Sequence, residues 1–222
     1  RISWVFTILQ QIDFFSLPLL YFLHPIFDKL YEIRSDLLKK KPLKKPLSPK
    51  IPDFLPLRKF TTLIDDEIYS KCLIEQLDCR SYETRFIAFE QTQLNKCTLS
   101  NLTMHNFEVA DTIFDHCDFS NTEMIGASFH RVLFKNCKLI GTNFAESVFV
   151  DCQFEACLAD FSSFSYASFK VAALNQSSFI QSDFFEINWQ HLTLENCDFT
   201  AANWFNLTRQ KSPILHRWVM NA

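Results

Sequence analysis

Residues 107–139 read FEVADTIFDHCDFSNTEMIGASFHRVLFKNCKL, and the spacing within this stretch decides the fold. Stepping through it by five gives Val109, Phe114, Phe119, Met124, Phe129, Phe134 and Leu139, an apolar residue every time. Two positions before these stand small residues such as Thr112, Cys117, Thr122, Ala127 and Cys137. A helix repeats its apolar face every 3.6 residues and a strand every 2, so a period of five belongs to neither.

The pattern extends in both directions from this stretch. It holds from Phe89 to Trp204 over 24 positions, with Ala159 the one small residue among them. A second period of twenty is superimposed: Cys97, Cys117, Cys137 and Cys157, then Ser177 and Cys197. Twenty is four fives, and the simplest object with both periods is a square coil with five-residue sides. Equivalent residues then stack in columns, and stacked coils can satisfy one another's backbone donors and acceptors. Residues 87–206 would make six such coils, a rod on the order of 30 Å long at the usual strand spacing of about 4.8 Å. Trp189 and Trp204 fall where wide aromatics could close its far end. With 2 Gly in 222 residues, the corners are expected to be ordinary turns with no dependence on glycine.

This motif, seen in Phe114-Asp-His-Cys117-Asp-Phe119 and Phe134-Lys-Asn-Cys137-Lys-Leu139, resembles that of the pentapeptide-repeat family. The resemblance covers about half of the chain. It implies an all-β, right-handed quadrilateral β-helix with Phe or Leu filling the core and the small residue pointing inward. Within the family the Cys- and Phe-rich pattern is closest in character to the fluoroquinolone-resistance (Qnr-type) subgroup. That likeness implies a protein that imitates DNA, occupies the DNA groove of DNA gyrase or topoisomerase IV, and dimerises through a C-terminal element. This chain departs from the subgroup in having a basic third coil and a basic tail that has lost the repeat.

The flanks read differently. Residues 1–41 form an apolar then basic extension, expected to be partly helical or disordered, with a poor membrane anchor conceivable only through 2–27. The chain opens on Arg and has no Met before Met104, so its natural start is expected to lie elsewhere. Residues 42–60 are rich in Pro and Lys and read as an extended linker. Residues 61–86 read as an N-terminal cap and a first irregular coil, and 207–222 as an irregular tail.

Charge is unevenly spread. Residues 87–206 hold fourteen acids and five bases, a net charge of −9, although the whole chain carries −3. The columns Gln91, Asp111, Arg131, Asp151 and Asn95, Asp115, Lys135, Glu155, with Thr98, Asp118, Lys138, place bases between acids and predict inter-coil ion pairs. One side differs. Glu123, Glu146, Asp183 and Glu186 share columns that contain no base, and with Glu108 they form the candidate partner-binding acidic face. Outward Ile113, Leu133, Val148 and Leu158 are a second candidate patch.

Catalysis finds no foothold in the sequence. It contains no phosphate loop, nucleophile elbow or convergent carboxylate pair. The cysteines lack the close pairing of a zinc site and occupy inward positions, where free thiols pack as small hydrophobes. Neither a cofactor nor a metal is expected. Free thiols place the protein in the reducing cytoplasm, and this argues against use of the sequon-like Asn101-Leu-Thr103 in secretion.

Overall fold

The computed structural model describes residues 44–204 and the backbone of 208–209. No helix occurs among them. The strands are β1 (Leu57–Arg58), β2 (Ile68–Ser70), β3 (Leu73–Glu75), β4 (Asp78–Arg80), β5 (Glu83–Arg85), β6 (Ala88–Glu90), β7 (Gln93–Asn95), β8 (Thr98–Ser100) and β9 (Thr103–His105). Longer strands follow: β10 (Glu108–Asp115), β11 (Ser128–Lys135), β12 (Val148–Glu155), β13 (Ser168–Asn175) and β14 (Asn188–Glu195), then β15 (Thr208–Arg209). All pairing is parallel and, apart from β1 with β3 and Val150 with Val171, steps by twenty, as in Val109↔Phe129↔Phe149↔Phe169↔Trp189. The other two sides of each later coil are joined by single bridges such as Asp118↔Lys138 and Asn143↔Ser163. The result is a right-handed quadrilateral β-solenoid, the hand expected of parallel crossovers.

The core is what the period of five requires. Phe89, Leu94, Leu99, Phe114, Phe119, Phe134, Phe149 and Phe154 are fully buried. From Phe114 onward the rings stack over one another. Centroids lie 5.1 Å apart for Phe114–Phe134, 4.8 Å for Phe134–Phe154, 4.9 Å for Phe129–Phe149 and 5.0 Å for Phe164–Phe184. Trp204 closes one such column, stacked on Phe184 at 4.2 Å.

The small inward residue has a polar duty as well as a steric one. Its hydroxyl or thiol donates to the carbonyl oxygen 23 residues earlier: Thr122 to Leu99 (2.6 Å), Thr142 to Phe119 (2.8 Å), Ser147 to Met124 (2.8 Å) and Cys137 to Phe114 (3.3 Å). Ser, Thr and Cys therefore interchange at this position because each is small and each can donate. All eight cysteines are buried and free. Burial pushes the Cys152 thiol up to about 12 and raises Cys137 as well, so these groups are inert core.

Two features go beyond those expectations. First, the coil read as irregular within 61–86 joins the stack in register, ahead of the six coils counted from residue 87. Ile68–Ser70 pairs with Ala88–Glu90, and Leu73–Glu75 with Gln93–Asn95. The extra coil fills its core with Tyr69, Ile74, Cys79 and Thr84, so the step of five continues there without the Leu and Phe that announce it. Second, the corners need no glycine, as expected, yet their backbone is left-handed. Every fifth residue from Asp66 to Ala201 has φ near +50 to +70°, except Val171 and His191, and only Gly126 and Gly141 of these are glycine. Four such residues per coil mark about seven coils. A non-glycine residue pays about 1 kcal/mol or more to adopt this conformation, and the repeated burial offsets it. Val171 is β-branched, the class least able to adopt positive φ. The strand pairing slips by one residue there, with Val150 opposite Val171.

Candidate interaction surface

Side chains point outward from four flat sides and four corners, so a functional surface is a set of columns. The corner bearing Asn106, Gly126, Glu146, Tyr166 and Glu186, with the side that precedes it, carries most of the expected acidic face. Glu146 is exposed and Glu186 half-buried, both at left-handed corner positions. Glu123 and Asp183 belong to the bridge column Thr103↔Glu123↔Asn143↔Ser163↔Asp183↔Asn203. Glu123 accepts a hydrogen bond from Asn143 (2.7 Å). Asp183 accepts from Ser165 (2.8 Å), the Phe185 amide (3.0 Å) and Asn203 (2.9 Å). Glu108 lies beyond the corner on β10, at the rim of a shallow groove with Ile68, Phe86 and Asn106.

The structure therefore brings Glu123, Glu146, Asp183 and Glu186 to one side, with Glu108 adjacent, but spreads them along it. Glu123 and Asp183 are three coils apart, about 14 Å at a spacing of about 4.8 Å. That exceeds the Debye length of about 8 Å at physiological salt. Beyond the first coil, which holds Arg85, the side is acidic by the absence of Lys and Arg more than by density of anions.

The expected apolar patch does not assemble. Val148 is on β12, Leu158 on a bridge side, and Ile113 opposite Leu133 on β10 and β11, three different sides. Sequence reading missed a different group. Ile125 and Tyr166 are exposed on the acidic side, and Tyr166 meets Phe185 edge-on with centroids 5.5 Å apart. The available signal was an aromatic at an outward position of the five-residue motif.

The expected ion pairs form in one column and fail in its neighbour. Arg131 grips Asp111 through two bonds of 2.6 Å, both side chains being largely buried. This holds the Asp111 carboxyl below the usual carboxylate range, with help from the Lys50 amide. Lys138 reaches Asp118 only at 4.0 Å. Asp115 bonds to His116 (2.7 Å) and Asn136 (3.4 Å) in place of a lysine. Two other histidines are paired, His105 with Glu83 (3.0 Å) and His130 with Arg131 (3.0 Å), while the buried Nδ1 of His191 has no hydrogen-bond partner. Among the described residues no three His, Cys, Asp or Glu side chains converge in a metal-binding arrangement.

Comparison with known families accords with this geometry. A model described as a pentapeptide repeat region matches residues 127–204, and one described as pentapeptide repeats matches 109–139. Residues 109–204 are pentapeptide repeats. No curated protein sequence matches the chain. Among solved structures it is similar to full-length QnrB1, a plasmid-mediated fluoroquinolone resistance protein, at 13% identity and a TM-score of 0.36, covering 69% of this chain and 89% of that one. It is also similar to HetL, a pentapeptide repeat protein involved in heterocyst differentiation regulation from the cyanobacterium Nostoc, at 13% identity and a TM-score of 0.26, covering 68% and 88%. The expected N-terminal extension, with its conceivable membrane contact through 2–27, lies outside the described residues, as does nearly all of the 207–222 tail. No helix of the described residues is long and apolar enough to cross a membrane.

Proposed function

We propose that the rod is a non-catalytic binding module whose acidic side competes with DNA for a basic groove on DNA gyrase or topoisomerase IV, acting in the cytoplasm. The observation that carries this reading is a side without Lys or Arg beyond its first coil, where Arg85 is paired with Glu83. In the six successive segments 102–107, 122–127, 142–147, 162–167, 182–187 and 202–204 there is no Lys or Arg, and Glu123, Glu146, Asp183 and Glu186 face outward. DNA-binding grooves gain much of their affinity by neutralising phosphates, and a rigid carboxylate-bearing rod meets the same cations. Because the acids are sparse, binding is weak and falls steeply with salt.

The test is gyrase supercoiling by the full chain, with and without ciprofloxacin, across protein and salt concentrations. Inhibition, or relief of drug poisoning, should appear at micromolar protein and disappear when Glu123, Glu146, Asp183 and Glu186 are all changed to Lys. A folded chain with no effect on gyrase or topoisomerase IV at low salt removes this reading. Tyr166 and Phe185 favour a second one, a scaffold whose protein partner offers an apolar pocket, since aromatic anchors dominate such interfaces. In that case Tyr166→Ala weakens capture of the partner more than the charge reversals do.

A further inference from the structure

The segment expected to be a free linker is bound to the rod. Its sequence, Pro46-Leu47-Ser48-Pro49-Lys50-Ile51-Pro52-Asp53, places proline at every third position. The Leu47 amide donates to Asp151 Oδ1 (3.1 Å) and the Lys50 amide to Asp111 Oδ1 (2.8 Å), while Gln91 donates to the Lys50 carbonyl (3.2 Å). The segment then enters β1, which pairs with β3 and starts the stack. Gln91, Asp111 and Asp151 occupy one corner column, with Arg131 between the two acids. Both acids are nearly buried, at 7% and 6% exposure.

The two periods match. Asp111 and Asp151 are two coils apart, about 9.6 Å at a spacing of about 4.8 Å. Leu47 and Lys50 are one turn of polyproline II apart, about 9.3 Å at about 3.1 Å per residue. Each donating residue follows a proline, which has no amide to leave unsatisfied and holds the strand extended before it binds. Every third amide of such a segment therefore meets a carboxylate on every second coil. Charge does not select the segment, since Lys71 and Arg131 balance Asp111 and Asp151 in this column; the amide-to-carboxylate bonds do.

We propose that this corner column is a recognition ladder for extended segments with proline at every third residue, and that residues 44–53 are its resident ligand in cis. A segment of the same chemistry on a partner protein binds by exchange with it. The inference concerns a different corner from the acidic side and stands independently of the gyrase reading.

In the unaltered chain, hydrogen exchange should show the Leu47 and Lys50 amides protected at least 10-fold over Ser48, and Asp111→Asn with Asp151→Asn should remove the difference. A chain with Pro46→Gly, Pro49→Gly and Pro52→Gly, folded by circular dichroism, should bind a fluorescent peptide of residues 44–54 at least 10-fold more tightly than the unaltered chain does. Methylating the peptide's amides at Leu47 and Lys50 should abolish that binding, whereas general charge attraction would survive it. Equal exchange of Leu47, Ser48 and Lys50 overturns the ladder. A triple-glycine chain that refuses the peptide, or that only pairs with a second copy of itself, overturns exchange with a partner.

Discussion

The coils before and after residue 117 follow one repeat but are built differently. From 66 to 116 each side carries its own three-residue strand or one half of β10, and no corner shows a turn bond among the described hydrogen bonds. From 117 onward two sides fuse into the eight-residue strands β11 to β14. The other two corners close with a hydrogen bond from the fourth residue to the first, as in Thr122 to Phe119 (3.1 Å) and Ser147 to Phe144 (3.1 Å). With positive φ at the third residue, these are type II turns. The core changes at the same place. Within its column Tyr69–Phe89 is tilted by 37°, whereas the same-column pairs from Phe114–Phe134 onward stack within 20°. Stacked identical rings make each coil a translated copy of the last, so turn geometry can repeat. Where ring identity changes, each coil adjusts separately.

The largest expected effect tests whether the stacks cause this regularity. Phe149 is fully buried between Phe129 and Phe169, at 4.9 and 4.7 Å. Phe149→Ala should cost about 4 kcal/mol, the usual range for a buried phenylalanine. Ile74→Ala, in the first coil, should cost about 2 kcal/mol, the low end for a site whose surroundings can relax. Denaturant unfolding followed by circular dichroism measures both. Because solenoids unfold partly coil by coil, hydrogen exchange should show Phe149→Ala loosening coils on both sides and Ile74→Ala loosening only the first. Equal and equally spread effects would break the link between ring stacking and regular corners.

The next effect separates the corner tied to the Pro-rich segment from corners tied only to themselves. Arg131→Met strands the Asp111 carboxylate where it is largely buried and should cost about 3 kcal/mol. Its pH dependence has a definite sign. Asp111 is held below its ordinary pKa, chiefly by the Arg131 bond, so the stabilisation is complete above about pH 4 and is lost as pH falls through the lower folded value. The stability gap between the unaltered chain and Arg131→Met should therefore shrink below pH 4. Asp198 is held below its usual range by Thr200 within its own turn. Asp198→Asn should then cost less than Arg131→Met.

Legibility followed the same division. The Phe and Leu steps from 89 to 204 specified the coil, the columns and the inward small residues, because burial leaves little choice at those positions. The first coil was harder to read because Tyr69, Cys79 and Thr84 fill the core without repeating one residue type. The corner conformation was illegible for a related reason. Lys71, Phe86, His116 and Tyr166 all adopt positive φ, imposed by pairing above and below and not by local preference. The acidic side was visible as columns, but its sparseness emerged only from the coil spacing. The docking of 44–53 was invisible because contacts 61 and 104 residues apart in sequence leave no local trace.

The smallest effect asks how far that imposed conformation makes glycine dispensable. Gly126 and Gly141 have nearly the same φ, +69° and +66°, at equivalent corners of adjacent sides. A Cβ on Gly126 would meet nothing within 4 Å, whereas one on Gly141 would lie 2.5 Å from Asn121 Oδ1. Asparagine tolerates left-handed backbone well, and the chain already uses it at Asn101, Asn106, Asn121, Asn136 and Asn196. Gly126→Asn should thus change stability by no more than about 0.5 kcal/mol. Gly141→Ala must strain the backbone and displace the Asn121 side chain, costing about 1–2 kcal/mol. The obstructing oxygen is the end of a side chain and can rotate away, so Asn121→Ala should recover part of that cost, while the backbone strain remains. Recovery of the whole cost would mean that the corner itself exerts no strain on non-glycine residues, and that the solenoid holds its many left-handed residues without penalty.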